Sequence, residues 1–178
     1  MIDFEKLWSG AMPFHTFVTE STEHKGLWEG VYRLWRVPEW AQAELEGMER
    51  RLLVLAEDWC GDASNTIPIL AKWADQVEGL ELRIIRRDEH PEVMDRYLTN
   101  GSRSIPIVIA LDTEGNPVGH WGPRPHELQA FVRDNKARVP NKELYPQVRR
   151  WYARDRGEAT ICEVAAAAGI GLPELSVC

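Results

Sequence analysis

A short apolar run at residues 52–56, Leu-Leu-Val-Leu-Ala, most constrains what this chain can fold into. Charged residues bound the run on both sides, which is the pattern of a strand buried on both faces of a sheet. Helical spacing of apolar residues follows at 63–77, and alternating apolar and polar residues at 80–85 predict a second strand. This order predicts two parallel strands joined by a crossover helix.

The rest of the chain predicts a mixed sheet with helices around it. Residues 105–111 and 117–121 are typical of two strands joined by a tight turn, and therefore of an antiparallel hairpin. The predicted fold class is thus α/β, with a mixed central sheet flanked by helices. The remaining predicted helices occupy residues 24–37, 39–50, 91–98, 124–138, 142–156 and 158–168.

The length of 178 residues favours one compact unit. Within it we expect an α/β body at residues 51–138, an N-terminal helical extension at 1–50 and a C-terminal helical extension at 139–178. Large apolar residues from Trp28 to Trp35 lie at helical spacing on one face, which indicates packing against the body. Stacking of these tryptophans on a ligand is the alternative.

Composition argues against several classes of function. The net charge of −7 makes the whole chain a poor nucleic-acid binder, and three cysteines do not indicate a disulfide framework. No run approaches the roughly 18 apolar residues of a membrane span, and a secretion signal is not recognisable, so we expect a cytoplasmic protein. Five scattered histidines without ligand spacing indicate neither a metal nor a cofactor.

Positive charge is concentrated in residues 124–156, which contain nine Lys or Arg and four Asp or Glu. One interpretation is a solvated helix face, and the other is a basic surface for a small anionic ligand or an acidic partner. Arg87 follows the second strand and Arg124 precedes a helix, and either arginine could pair with ligand carboxylates. For Arg124, pairing with a nearby acid of the protein is the alternative.

Candidate chemistry is concentrated at residues 57–63, Glu-Asp-Trp-Cys-Gly-Asp-Ala, between the first strand and its helix. Cys60 lies at the predicted helix N-terminus, where backbone N–H groups and the helix dipole lower the pKa of a thiol. Glu57, Asp58 and Asp62 oppose this effect, and the sequence leaves the balance open. Because Cys60 stands among charged residues, we expect an exposed, potentially reactive thiol. The alternative is a small, buried apolar side chain.

Three other residues are weighed beside Cys60. Asp62 is either a cap of the helix that follows or a general base that orients a substrate. Cys162 falls in an alanine-rich helix and is expected to pack in the core, whereas Cys178 is expected to lie in a tail.

Residues 53–63 resemble the thioredoxin active-site segment, whose core is Trp-Cys-Gly-Pro-Cys. Pro68 resembles the proline that bends the active-site helix of thioredoxins, and Ile105-Pro106 resembles the loop whose cis-proline faces the active-site cysteine. The resemblance covers about residues 50–138 and is greatest to a bacterial group of small thioredoxin-family proteins. That group carries Trp-Cys-Gly-Asp-Ala, Arg-Asp and Trp-Gly-Pro-Arg-Pro elements, found here at residues 59–63, 87–88 and 121–125.

Two departures from the thioredoxin pattern bear on function. Ala63 stands at the position of the second active-site cysteine, and Val54 at that of a buried carboxylate. A disulfide within the motif therefore cannot form. The resemblance then implies a monothiol thiol–disulfide oxidoreductase, in which an external thiol resolves the adduct on Cys60.

The resemblance also implies a substrate groove beside Cys60, with a small thiol or a protein disulfide as the partner. The residues expected to bind substrate are Trp59, Gly61, Asp62, Ile105, Pro106, Arg87 and Arg124. The alternative function is a non-catalytic module that binds a peptide or protein in the groove beside Pro106. A thiol-peroxidase-like sensor is the weakest candidate, because the Thr-x-x-Cys pattern is absent around Cys60.

Overall fold

The computed structural model describes residues 2–42, 45 and 48–172. Its central strand, β2 (Arg50–Ala56), runs parallel to β3 (Leu80–Arg86) and antiparallel to β4 (Ile107–Leu111). The side chains at positions 52–55 are all 0% exposed. Both faces of the sheet are therefore covered at its centre, as the apolar run predicts.

Two further strands complete a five-stranded mixed sheet over the described residues, in the order β1-β3-β2-β4-β5. β5 (Pro117–Trp121) forms the predicted hairpin with β4, and β1 (Met12–Pro13) pairs antiparallel with β3. The α/β fold class is confirmed. β1 escaped prediction because two residues are too few to show the alternation of a strand, and it places a strand in the stretch expected to be a helical extension.

Eight α-helices accompany the sheet in the described part of the chain. Six of them match predicted helices, α8 at the predicted bounds and the other five with shifted ends, whereas α1 and α2 were not predicted. No helix within these residues is long and apolar enough to cross a membrane. The helices are α1 (Phe4–Gly10), α2 (Phe14–Glu20), α3 (Lys25–Leu34), α4 (Gly61–Ala74), α5 (Pro91–Met94), α6 (His126–Asn135), α7 (Asn141–Asp155) and α8 (Glu158–Ala168).

The predicted helix at residues 39–50 is wrong where the structure describes it. A 3-10 turn covers Glu39–Ala41, and Arg50 already belongs to β2. The backbone N–H of Arg50 donates to the carbonyl oxygen of Gly79 at 2.8 Å. The end of this segment is therefore extended, because it pairs with the segment that leads into β3. Residues 43–44 and 46–47 lie outside the described residues.

The N-terminal helices pack on the body through aromatic side chains. Trp28 is fully buried, and its ring lies 5.1 Å from that of Phe17. Its Nε1 donates to the carbonyl oxygen of Asp58 at 3.0 Å, which ties α3 to the segment before Cys60. The other members of this face are partly buried against the same core, so the predicted packing of the face is confirmed.

The C-terminal helices also pack on the body. α8 approaches β5 so closely that a Cβ atom at Gly119 would lie 2.0 Å from the carbonyl oxygen of Ala167. Trp35, just after α3, donates from Nε1 to the carbonyl oxygen of Arg156 at 2.7 Å. The two terminal regions therefore contact each other as well as the sheet.

Candidate active site

Cys60 is the N-cap of α4, directly after the end of β2. Its Sγ accepts a hydrogen bond from the backbone N–H of Ala63 at 3.5 Å and donates to the carbonyl oxygen of Ile105 at 3.4 Å. The residue is 8% exposed. The expectation of an exposed thiol is therefore wrong. The neighbours of Cys60 in the sequence are charged, but residues that are distant in the sequence cover the thiol.

Burial raises the pKa of the Cys60 thiol to about 11. The backbone N–H groups of Ala63 and Asp62 and the charge of Arg124 lower this pKa, whereas the carboxylate of Asp62 raises it further. The balance that the sequence left open is thus decided by desolvation, which the helix N-terminus does not overcome. At neutral pH the unliganded site holds a protonated thiol.

The two acids before Trp59 stabilise the loop that leads to Cys60. Asp58 Oδ2 accepts hydrogen bonds from the backbone N–H groups of Thr22 and Glu23 at 2.8 and 3.2 Å. Burial alone would raise the pKa of Asp58, but these hydrogen bonds and the charge of Arg86 lower it. The carboxylate is therefore held charged and attaches the segment between α2 and α3 to the motif.

Glu57 anchors the same loop on its other side. Its Oε1 accepts from the backbone N–H of Asp88 at 2.9 Å, and its Oε2 lies 3.8 Å from Arg86 Nη1. Of the three acids expected to act on Cys60, only Asp62 contributes to raising its pKa.

The loop before β4 faces Cys60, as the thioredoxin resemblance implies. The Ile105–Pro106 peptide bond is cis, and so is the Gly122–Pro123 bond in the loop that follows β5. Gly122 has a φ of +129°, and a Cβ atom there would lie 2.2 Å from the carbonyl oxygen of Pro106. The two loops therefore pack backbone to backbone, and Pro106 itself is buried.

Asp62 joins three separate parts of the chain. Its Oδ1 accepts a hydrogen bond from Tyr152 of α7 at 2.9 Å, and its Oδ2 lies 2.6 Å from Arg124 Nη2. The side-chain cap of α4 is Cys60, so the capping role expected as one alternative for Asp62 is wrong. The alternative of an acid partner for Arg124 is confirmed, and Arg124 donates from Nη1 to Gln129 as well.

Tyr152 is a member of the site that the sequence analysis missed. Burial raises its pKa well above 10, and the Asp62 carboxylate raises it further. The hydroxyl therefore stays protonated and donates to Asp62. Both Asp62 oxygens already have partners, which leaves little support for a general base at this position.

Arg87 and Trp59 pack together at the edge of the site. The guanidinium carbon of Arg87 lies 4.9 Å from the ring centroid of Trp59, which is 45% exposed. Arg87 also bonds to Asp88 at 2.8 Å and donates to the carbonyl oxygen of Arg103 at 3.2 Å. Its head group is thus fixed beside the motif as a cation on an aromatic face.

These groups surround a cavity of about 530 Å³, which we call the thiol cavity. It contains seven of the eight predicted site residues, with Ser104 and Ile105 forming the wall in front of the buried Pro106. The residues that line it are His24, Leu27, Trp59, Cys60, Gly61, Asp62, Asn65, Arg87, Arg103, Ser104, Ile105, Arg124, Tyr145, Val148, Arg149 and Tyr152.

Four of the nine lining residues missed from the sequence come from α7, which lies more than 80 positions after Cys60. Their one detectable signal is the excess of basic residues at 124–156. Arg124 and Arg149 of that stretch line the thiol cavity, which fits the interpretation of a basic surface for a small anionic ligand.

Cys162, the other cysteine among the described residues, is not placed beside Cys60. Cys162 is buried in α8, as expected, and does not line the thiol cavity. Cys178 lies outside the described residues. Among those residues, no group of three or more His, Cys, Asp or Glu side chains is arranged to hold a metal ion.

A cysteine at the start of a helix, opposite a cis-proline loop and on a mixed five-stranded sheet, defines a thioredoxin-fold protein. The family model described as Thioredoxin matches residues 11–138, and the chain belongs to that family. The match begins before residue 51 and therefore includes β1 and the aromatic helix α3.

Two solved structures are similar over nearly the whole chain. One is a protein of unknown function from Pseudomonas aeruginosa, with 22% identity, a TM-score of 0.74, and coverage of 95% of this chain and 98% of that one. The other is an HIV epitope-scaffold with 20% identity, a TM-score of 0.71, and coverage of 94% and 98%. At these identities the likeness shows the fold alone. No curated protein matches the chain.

Proposed function

We propose that the protein is a monothiol thiol–disulfide oxidoreductase that uses Cys60 and an external small thiol. The observation that carries this proposal is the placement of Cys60 Sγ at 3.4 Å from the Ile105 carbonyl, beside a cis-proline and inside a cavity lined by four arginines. This placement gives a substrate sulfur a fixed approach to one thiol. Ala63 supplies no second thiol in the motif.

The proposed reaction has two exchange steps. The thiol of Cys60 loses its proton and attacks one sulfur of a disulfide, RSSR; a new S–S bond forms to Cys60, the old S–S bond breaks, and RSH leaves with the proton. An external thiol, R′SH, then attacks the substrate sulfur of the mixed disulfide. This step releases RSSR′ and returns the proton to Cys60, so the enzyme is unchanged over the cycle.

The shape of the thiol cavity favours a small substrate over a protein disulfide. Tyr145, Val148 and Tyr152 of α7 form one wall, so a helix stands where an open groove would be needed for an extended chain. A volume of about 530 Å³ lies within the usual range for small-molecule sites. A cytoplasmic location, which the sequence predicts, would supply small reducing thiols.

A second candidate function, ligand binding without exchange, is favoured by one observation. Burial raises the pKa of Cys60 to about 11, so few molecules carry the thiolate nucleophile at neutral pH. In this alternative the thiol cavity binds its ligand and Cys60 contributes only shape and a weak hydrogen bond.

Mass spectrometry of the intact protein separates the two candidates. The wild type and Cys60→Ser are incubated with glutathione disulfide, and the adduct is located by peptide mapping. Exchange predicts one glutathione on Cys60 in the wild type, its release by added glutathione, and no adduct at position 60 in the variant. Binding without an adduct on Cys60 would favour the second candidate.

Two finer assignments belong to the same proposal. We place the chain in the group with the Trp-Cys-Gly-Asp-Ala motif, supported by the Asp62–Arg124 ion pair that joins two of the group's elements. We also propose a body at residues 51–138 with integral extensions at 1–50 and 139–178, since β1 and α8 pack directly on the sheet.

A further inference from the structure

A second cavity adjoins the thiol cavity and shares part of its wall. It measures about 270 Å³, and we call it the side cavity. Ser104, Arg124 and Tyr145 line both cavities, so the two cavities lie side by side. Its other lining residues, mostly polar, are Thr99, Asn100, Ser102, Gln129, Val132, Arg133, Lys136, Asn141 and Leu144.

Most cations around the two cavities are neutralised by carboxylates of the protein. The closest separations are 2.8 Å for Arg87–Asp88, 2.7 Å for Arg103–Asp95, 2.6 Å for Arg124–Asp62 and 2.9 Å for Arg133–Asp134.

Two cations stand apart from these pairs. Within the described residues, neither Arg149 nor Lys136 has a carboxylate partner. Arg149 lines the thiol cavity and Lys136 lines the side cavity. Each cavity thus holds one uncompensated positive charge, although the whole chain carries a net charge of −7.

Arg124 stands in the wall between the two cavities and has unused hydrogen-bonding capacity. Its Nη atoms bind Asp62 and Gln129, but its Nε is buried without a hydrogen-bond partner among the described residues. A buried polar atom without a partner costs free energy. Because Arg124 lines both cavities, a ligand that occupied both would lie against this side chain.

We propose that the two cavities together bind one small thiol, or its disulfide, that carries an anionic group at each end and its sulfur between them. The sulfur lies at Cys60, one anionic group lies near Arg149, and the other lies near Lys136 in the side cavity. This inference deepens the proposed function and rests on it for the role of the sulfur. The placement of the charges can be tested without any exchange reaction.

The probe is S-methylglutathione, which has a carboxylate at each end and a blocked sulfur that cannot react. Its binding to Cys60→Ser is measured by calorimetry and compared with that of its dimethyl ester, which keeps the skeleton and the α-amino group but lacks both carboxylate charges. Lys136→Gln and Arg149→Gln are each introduced into the Cys60→Ser protein. Lys142→Gln and Arg150→Gln are the matched controls, since these residues are exposed, as Lys136 and Arg149 are, but line neither cavity.

We expect the ester to bind at least about tenfold more weakly than the acid, and each cavity variant to bind the acid about three- to fivefold more weakly, as for partly exposed ion pairs. The control variants should bind like the parent. The proposal is overturned if acid and ester bind equally, or if the cavity variants behave like the controls. Charge-dependent binding without any adduct on wild-type Cys60 would support the site and contradict only the exchange reaction.

Discussion

The burial of Cys60 predicts slow alkylation with an unusual dependence on pH. Because burial raises the pKa of this thiol from 9.0 to about 11, its thiolate fraction at neutral pH is about a hundredfold smaller than in the unfolded chain. The more basic thiolate is also the better nucleophile, and a Brønsted coefficient of about 0.45 makes its intrinsic reactivity roughly eightfold higher. Ionisation alone should therefore slow the reaction of native Cys60 by about tenfold.

Alkylation with iodoacetamide between about pH 7 and pH 10 measures this effect. Mass spectrometry follows the peptide that contains Cys60, and the same reaction in urea supplies the unfolded reference. The native rate should keep rising about tenfold per pH unit across the range, while the reference rate levels off near pH 9. Steric shielding lowers the native rate by the same factor at every pH, so the two causes can be separated.

A native rate that levels off at or below about pH 9 would refute this reasoning. It would mean that the backbone N–H groups at the start of α4 and the charge of Arg124 outweigh desolvation. Cys60 would then be a thiolate at moderately alkaline pH, and the case for ligand binding without exchange would lose its main support.

Three further predictions follow from particular contacts. Asp62→Asn should lower the pKa of Cys60, because it removes a negative charge beside the thiol and leaves the positive charge of Arg124 without its carboxylate partner. The same alkylation titration measures this pKa. Gly119→Ala should lower the free energy of unfolding by about 2–4 kcal/mol in urea, because its Cβ would collide with the backbone of α8. Asp58→Asn should cost about 1 kcal/mol at neutral pH. Since the folded pKa of Asp58 is depressed, this difference should begin to shrink near pH 3.8 and should be lost as the pH falls through the lower folded pKa.

Each of these predictions has a matched control or a contrary result. Tyr152→Phe removes a hydrogen bond to Asp62 but no charge, so it should move the pKa of Cys60 less than Asp62→Asn does. Gly30→Ala lies within α3 with no atom near its Cβ, and should raise stability by up to about 1 kcal/mol. Equal stabilities of the two glycine variants, or an Asp58→Asn difference that persists at acid pH, would contradict the contacts described.

Much of the fold could be predicted because its core elements carry local signals. The buried run of β2, the alternation in β3 and the turn between β4 and β5 each show the period of the element they form. The structures of β1 and of the segment after Glu39 were not predicted, because both depend on pairing with residues that are distant in the sequence. Edge pairing with β3 and the hydrogen bond from Arg50 to Gly79 are tertiary contacts that leave no period in the sequence.

The candidate site could be predicted only where the motif itself supplies it. The position of Cys60 follows from a strand that ends and a helix that begins, but its burial depends on Ile105 and on α7. From the sequence, α7 is expected in an extension, and no local signal indicates that Tyr152 reaches the motif. The excess of basic residues at 124–156 indicated a ligand surface without showing which arginine would face Cys60.

Asp62 links the active-site motif to the wall of the thiol cavity. A carboxylate that is 8% exposed is costly unless it is paired and hydrogen-bonded. Arg124 supplies the pairing charge and Tyr152 the hydrogen bond, so the residue in place of the motif proline needs both the loop after β5 and α7. These same contacts hold α7 as a wall of the thiol cavity. In the proposed exchange reaction an external thiol must resolve the adduct on Cys60. A cavity of about 530 Å³ would admit a small thiol more readily than a protein.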